Sequence, residues 1–135
     1  WHETEDCIVE RNIIVDCDKG VSLGNSYMPK NRAVKLHARR CIVRNNFITR
    51  APEGCIEAAN TADCKIYNNT IHDPKNRMRR LLRVLGQREG LVASGNIFSG
   101  PAPPGVPPGN LVKDLTSAFA DPKGGNLHLK NPCRK

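Results

Sequence analysis

Residues 41–50 read CIVRNNFITR and residues 64–73 read CKIYNNTIHD, and the second stretch is the first written again. Cys41 falls over Cys64, Val43 over Ile66, Asn46 over Asn69 and Ile48 over Ile71. The same frame takes residues 7–16, CIVERNIIVD, with Val9, Asn12 and Ile14. It takes residues 91–100, LVASGNIFSG, more loosely, with Ala93, Asn96 and Phe98. An apolar–x–apolar–x–x–Asn–x–apolar unit that keeps recurring is the mark of a chain built by stacking like units. The repeats start at 7, 41, 64 and 91, at intervals of 34, 23 and 27 residues. The shortest interval reads as an undecorated coil. The others read as the same coil with roughly ten and four residues added in loops on one side.

Within a unit the first and third residues point inward and their neighbours outward, as in a strand. Cys7, Cys41 and Cys64 share the first inward slot, where a small apolar side chain is wanted. They are expected to form a buried column of thiols. Adjacent coils lie about 4.8 Å apart, so a bridge between stacked cysteines is conceivable but not demanded. The six cysteines show no spacing that suits zinc.

The chain of 135 residues carries 21 basic and 13 acidic residues, a formal charge of +8. An acidic partner or simply a basic surface would account for it. No nucleic-acid motif accompanies the charge, no stretch is long and apolar enough for a membrane span, and no signal-peptide pattern is present. The first residue is Trp1 and the chain runs almost at once into a repeat, as a mature form or a piece of a longer protein would.

Taken in order, residues 1–6 are a polar entry, residues 7–99 the repeat coils, residues 100–109 a Pro/Gly loop and residues 110–135 a last strand with a C-terminal cap. Further strands are expected at residues 20–24, 33–36, 54–59 and 81–86, the last in preference to a short helix. In residues 54–59, Ile56 and Ala58 face inward and Glu57 outward. GPAPPGVPPG, residues 100–109, lacks the backbone donors for a sheet interior. The final segment, with turn chemistry at Asp121-Pro122 and Gly124-Gly125 and a strand at residues 126–130, is the candidate cap for an apolar coil end.

With its C-I-V-x-N-N-x-I coils and its asparagines at 12, 46, 69 and 96, the chain resembles the right-handed parallel β-helix of the pectate-lyase-like superfamily. The ending, from Phe119 through Leu129, is similar to closing segments of bacterial secreted β-helix proteins. The resemblance implies an all-β solenoid of about four to five coils, with the asparagines stacked as a ladder at an inward bend. Asn suits such a bend because it tolerates the left-handed region and its amide can bond backbone groups left unpaired there. The scaffold serves lyases, hydrolases, epimerases, adhesins and inert stalks alike, so it implies a fold and not an activity.

Function would sit on the outward slots. One column holds Glu10, Arg44, Tyr67 and Ser94, and another Ile8, Ile42, Lys65 and Val92. Beyond the bend a third holds Val15, Thr49, His72 and Ser99. For β-elimination on a uronate, Lys65, Tyr67 or His72 would be the base, and Arg44 the carboxylate clamp. Arg77, Arg80 and Arg83, with Arg79, would help to bind the polymer. The plainer alternative is that Arg44 pairs with Glu10 or packs on Tyr67. Asp16 and Asp18 suggest ordinary turn chemistry before calcium. No cofactor is expected.

The leading expectation is therefore a secreted module that binds, and if catalytic cleaves, an acidic polysaccharide. The alternative is a non-catalytic scaffold that self-associates through an uncapped N-terminal coil.

Overall fold

The computed structural model describes residues 3–27, 36–73, 75, 77, 80–100 and 106–131. Its strands follow one another in circuits. The first circuit holds β1 (Thr4–Glu5), β2 (Ile8–Glu10), β3 (Ile13–Val15) and β4 (Lys19–Gly24). The second holds β5 (Ala38–Arg39), β6 (Ile42–Arg44), β7 (Phe47–Thr49) and β8 (Gly54–Ala62). β9 (Lys65–Tyr67), β10 (Thr70–His72) and β11 (Leu82–Glu89) make the third, and β12 (Val92–Ser94), β13 (Ile97–Ser99) and β14 (Leu111–Val112) follow. A short 3-10 turn at Thr116–Ala118 leads to the hairpin of β15 (Phe119–Asp121) and β16 (Asn126–Leu129).

Each strand pairs in parallel with its counterpart one circuit away. One sheet runs β12-β9-β6-β2 and a second β14-β13-β10-β7-β3. In the third, β8 is so long that it faces both β4 and β5 on one side and β11 on the other. The register is the one read from the repeat: Val9 beside Val43 beside Ile66 beside Ala93, and Ile14 beside Ile48 beside Ile71 beside Phe98. The protein is thus nearly all β, with parallel strands in stacked sheets, an arrangement compatible with a parallel β-helix.

The inward slots form the core. Val43, Ile48, Ile56, Ile66, Ile71 and Phe98 are all fully buried, and burying each such side chain is worth about 2 kcal/mol. Ile56 and Ala58 face inward as expected. Cys41 and Cys64 are buried, but Cys7 is exposed among the described residues. Cys55 lies in the core as well, and burial pushes its thiol pKa up. The column of thiols is therefore buried at Cys41 and Cys64 and not at Cys7.

The asparagines form the expected ladder. Asn46 Oδ1 accepts from Asn12 N (3.1 Å) and Nδ2 (3.0 Å). Asn69 Oδ1 does the same for Asn46, and Asn96 Oδ1 for Asn69. A fifth rung, Asn110, accepts from Asn96; a stretch rich in Pro separates it from the repeat, which is why the spacing hid it. The sharp bend itself is made one residue earlier than the sequence suggested. Positive φ falls on Arg11, Asn45, Asn68 and Gly95, and not on the stacked asparagines. An Arg in the left-handed region is strained by about 1–2 kcal/mol. Arg11→Asn, which matches Asn45 and Asn68 in the same place, is expected to stabilise the fold by about 0.5–1 kcal/mol in urea denaturation.

The added residues sit in two places, where the sequence suggested one side. In the first circuit they fall between Gly24 and Ala38, whose partners Ala59 and Thr61 flank Asn60. In the third, most lie between His72 and Leu82, and the remainder is a bulge between Leu85 and Arg88. Residues 81–86 are strand as expected. The strand expected at 33–36 lies largely outside the described residues, as do 101–105 of the Pro/Gly loop. Residues 106–110 hold no strand.

The C-terminal hairpin lies against the outer side of the β3–β7–β10 sheet. A Cβ on Gly125 would stand 2.5 Å from Val15 Cγ2 and 2.9 Å from Ile13 Cγ2, and the His128 and Phe47 rings meet at 4.8 Å. In the described residues the segment expected to close a coil end thus covers a sheet face.

Candidate functional site

The outward columns stand where the sequence put them. Glu10, Arg44, Tyr67 and Ser94 are register partners, as are Ile8, Ile42, Lys65 and Val92. Lys65 and Tyr67 are two apart on β9 and so share a face, with Lys65 exposed. Arg44 Nη1 donates to the Tyr67 hydroxyl at 2.9 Å, and its Nε donates to Glu10 Oε2 at 2.5 Å. The Arg44 bond holds the Glu10 carboxyl below its ordinary range. Arg44 is thus already neutralised by a carboxylate and braced on a phenol, the plainer of the two alternatives. The strip offers one unpaired cation, Lys65, to a ligand.

His72 belongs elsewhere. It closes β10 on the neighbouring sheet, and its outward side chain is only 4% exposed because the C-terminal segment lies over it. The Phe119 ring meets the imidazole edge-on at 5.4 Å. Nε2 is 3.0 Å from Thr116 Oγ1, and Nδ1 is 3.4 Å from Thr49 Oγ1. The Thr116 hydroxyl donates to Asp114 Oδ1 at 2.6 Å, so Nε2 is the donor to Thr116. The Thr49 hydroxyl likewise donates to the His72 carbonyl at 3.0 Å. The committed Thr116 proton makes Nε2 the protonated ring nitrogen, and the committed Thr49 proton leaves Nδ1 without a donor from that hydroxyl. Burial lowers the His72 pKa, against the opposing pull of Asp114 and Asp73. Bonds from the Thr116 hydroxyl and backbone N–H lower that of Asp114.

A pH dependence follows with a definite sign. The unfolded chain takes up a proton near pH 6.5 and the folded chain only below that. Stability therefore falls as pH drops from 7.5 towards 5.5, the range in which the unfolded state binds more protons. The carboxylates of Asp6, Glu10 and Asp16, lowered by their arginine partners, add to the loss only at more acid pH. Urea midpoints are expected to decline between pH 7.5 and 5.5 in the wild type and to stay level in His72→Gln.

His72 lies at the base of a cleft of about 580 Å³ between the second and third circuits and the hairpin. Arg50, Lys75, Arg77 and Lys123 line it with Asp16 and Asp73. Asp16 is held by Arg50 through two bonds of 2.5 and 2.9 Å and so anchors that arginine. Among the described residues no group of three or more His, Cys, Asp or Glu could hold a metal ion. Asp73 Oδ1 accepts the backbone N–H of Arg77 at 3.1 Å and shapes the turn that carries it.

The arginines expected to act together are divided. Arg77 borders the His72 cleft, while Arg80 and Arg83 border a second hollow of about 380 Å³ with Lys19 and Glu53. Arg83 Nη1 donates to Glu57 Oε2 at 3.0 Å and neutralises that buried carboxylate. Arg79 lies outside the described residues. Arg77 and Arg80 thus stand at two different basic hollows, and the Arg44–Tyr67–Lys65 strip is on a different sheet. Lys75 and Lys123, which the sequence did not single out, join Arg77 at the first hollow. Lys123 comes from the hairpin, and no local spacing links residue 123 to residue 72.

No known protein family, curated protein or solved structure matches this chain.

Proposed function

We propose that this chain is a right-handed parallel β-helix module of the pectate-lyase-like kind, extracellular, whose function is to bind an acidic polysaccharide across residues 73–83. One observation carries the reading. Among the described residues, Lys75, Arg77, Arg80 and Lys123 line the two hollows and have no ion pair. Of the other cations in the hollows, Arg50 is matched with Asp16, Arg83 with Glu57 and Lys19 with Glu53; elsewhere among the described residues Arg39, Arg40 and Arg44 are matched, whereas Arg11, Lys65, Arg88, Lys113 and Lys130 are not. Unmatched cations along one exposed turn favour a ligand that brings its own carboxylates at intervals.

Binding is the part of the expectation that the geometry favours. Cleavage by β-elimination needs a base that reaches the proton next to the uronate carboxylate. Tyr67 is engaged by Arg44, His72 lies beneath the hairpin, and Lys65 is accessible but has only a neutralised arginine beside it. The chain is thus read first as a binder, with a structural scaffold as the alternative.

Electrophoresis through gels containing pectate, alginate, chondroitin sulfate or neutral xylan tests the proposal. Arg77→Ala with Arg80→Ala is expected to weaken retardation by pectate or alginate at least tenfold at moderate salt. Arg44→Ala with Lys65→Ala should change it by about twofold or less. Retardation by every polyanion that vanishes with salt would reduce the site to bare charge. No retardation would leave the scaffold, and growth of unsaturated-uronate absorbance would restore the lyase.

A further inference from the structure

Two of the six cysteines meet inside the core, where the second circuit stacks on the third. Cys41 and Cys64 each follow a corner residue in the left-handed region, Arg40 and Asp63. The strands on both sides of that corner are paired: Arg39 stands beside Ala62, and Ile42 beside Lys65. The two cysteines are therefore pinned in register between those pairs. The Lys65 N–H donates to the Cys41 carbonyl at 2.9 Å, which ties the two backbones together at this step. Neighbouring strands run about 4.8 Å apart, inside the range of about 4.4–6.8 Å found between the Cα atoms of bridged cysteines.

The side chains agree. Both cysteines are buried free thiols, and each sulfur lies against the carbonyl two residues back. Cys41 Sγ donates to the Arg39 carbonyl at 3.3 Å, and Cys64 Sγ to the Ala62 carbonyl at 3.4 Å. The sulfurs thus repeat one placement, one circuit apart. Neither carbonyl depends on its thiol. That of Arg39 also accepts the Asp6 N–H at 3.2 Å, and that of Ala62 the Arg40 N–H at 3.0 Å. Removing both thiol hydrogens leaves each carbonyl with a backbone donor, so oxidation avoids the usual cost of an unsatisfied buried group.

We propose that Cys41 and Cys64 are a disulfide site, which joins the second circuit to the third in an oxidising compartment. The extracellular setting proposed above supplies such a compartment; the ligand plays no part. The oxidant is a small-molecule disulfide of the glutathione class. One cysteine thiolate attacks it, releasing a small thiol and leaving a mixed disulfide; the second cysteine thiolate then displaces the other small thiol. One S–S bond forms in the protein, and the oxidant takes the two electrons and two protons. Burial pushes the Cys64 thiol up, so exchange runs while the chain is folding and before the core closes. The closed core then shields the bond from reductant. Cys7 shares the column, but it lies 34 residues from Cys41, against 23 for Cys64, and is exposed among the described residues. A bridge to Cys7 would close the longer loop and stay open to exchange.

The test refolds the full chain from urea in a glutathione redox buffer and blocks the remaining thiols with iodoacetamide. Cleavage after Lys, Arg and Glu separates Cys41, Cys55 and Cys64, and linked peptides are mapped by mass spectrometry. Residues 41–44 joined to residues 58–65 are the expected product. The link should survive reductant in the native protein and yield to it in urea. Oxidation should lower the unfolding equilibrium constant at least tenfold, an effect absent from Cys41→Ala with Cys64→Ala. The peptide map decides even where that variant fails to fold. Six blocked thiols, Cys41 joined to any other cysteine, or a link that native protein loses to reductant as fast as unfolded protein overturns the proposal. Retardation by pectate should be the same in both redox states, so its loss would bear on the polysaccharide reading alone.

Discussion

Asn69→Ala is expected to destabilise the fold by about 3–5 kcal/mol, read as a shift in the urea midpoint at unchanged slope. Asn69 is the middle rung and is fully buried. Its Oδ1 satisfies the backbone N–H of Asn46 at 3.1 Å, and its Nδ2 satisfies the Val43 carbonyl at 3.0 Å and the Tyr67 carbonyl at 3.2 Å. Alanine leaves the first two groups buried with their side-chain partner gone, and each such group costs about 1–3 kcal/mol. Water cannot readily replace the amide, because the bend lies between Ile48, Ile66 and Ile71 in the core. Asn12→Ala is the control: the same chemistry at an exposed rung should cost about 1 kcal/mol or less. Equal losses at the two positions would mean that the ladder contributes through local turn preference and not through buried hydrogen bonds.

The second large effect is steric. A Cβ at Gly20 would lie 2.2 Å from the carbonyl oxygen of Cys55 and 2.9 Å from Ile48 Cγ2. The nearer atom is backbone of β8, which is held on both sides by β4 and β11, so neither partner can move aside cheaply. Gly20→Ala is expected to cost about 3 kcal/mol, the upper part of the usual range for overfilling a packed interior. Gly54→Ala is a useful contrast in space though not in backbone: the nearest atom to its Cβ is 3.6 Å away, but φ is +154°. Wild-type stability in Gly20→Ala would show that β4 can lift from β8, and would make the first circuit looser than its pairing suggests.

Much of this architecture was legible because its periodic part repeats. The four aligned stretches fixed the inward and outward columns, and the structure keeps every one of those columns in register. What the repeat could not disclose is whatever happens only once. The hairpin that covers His72 brings Phe119 and Thr116 across from the far end of the chain, so a position read as outward is one of the buried ones. Asn110 was missed because its distance from Asn96 matches no interval in the repeat. Cys7 was placed in the core because it repeats the slot of Cys41 and Cys64, yet among the described residues it is exposed. The left-handed residue was set on the asparagine itself because Asn tolerates that backbone region. The structure uses the preceding position and reserves the asparagine for hydrogen bonding. Of the candidate site, the charge pairing of Arg44 was legible as an alternative. The separation of Arg77 from Arg83 was not, because sequence neighbours can flank a turn and face different hollows.

The basic turn has a further meaning for how such a chain can change over generations. The first circuit passes from Val15 to Val21 in six residues and the second from Thr49 to Ile56 in seven, whereas the third takes ten to pass from His72 to Leu82. Lys75, Arg77 and Arg80 all belong to that longer passage. Three of the four cations proposed to meet a ligand therefore stand on a passage longer than the stacking requires. Mutation can lengthen, shorten or rewrite the passage while the strands on either side keep their partners, so recognition can drift quickly on a frame that stays fixed.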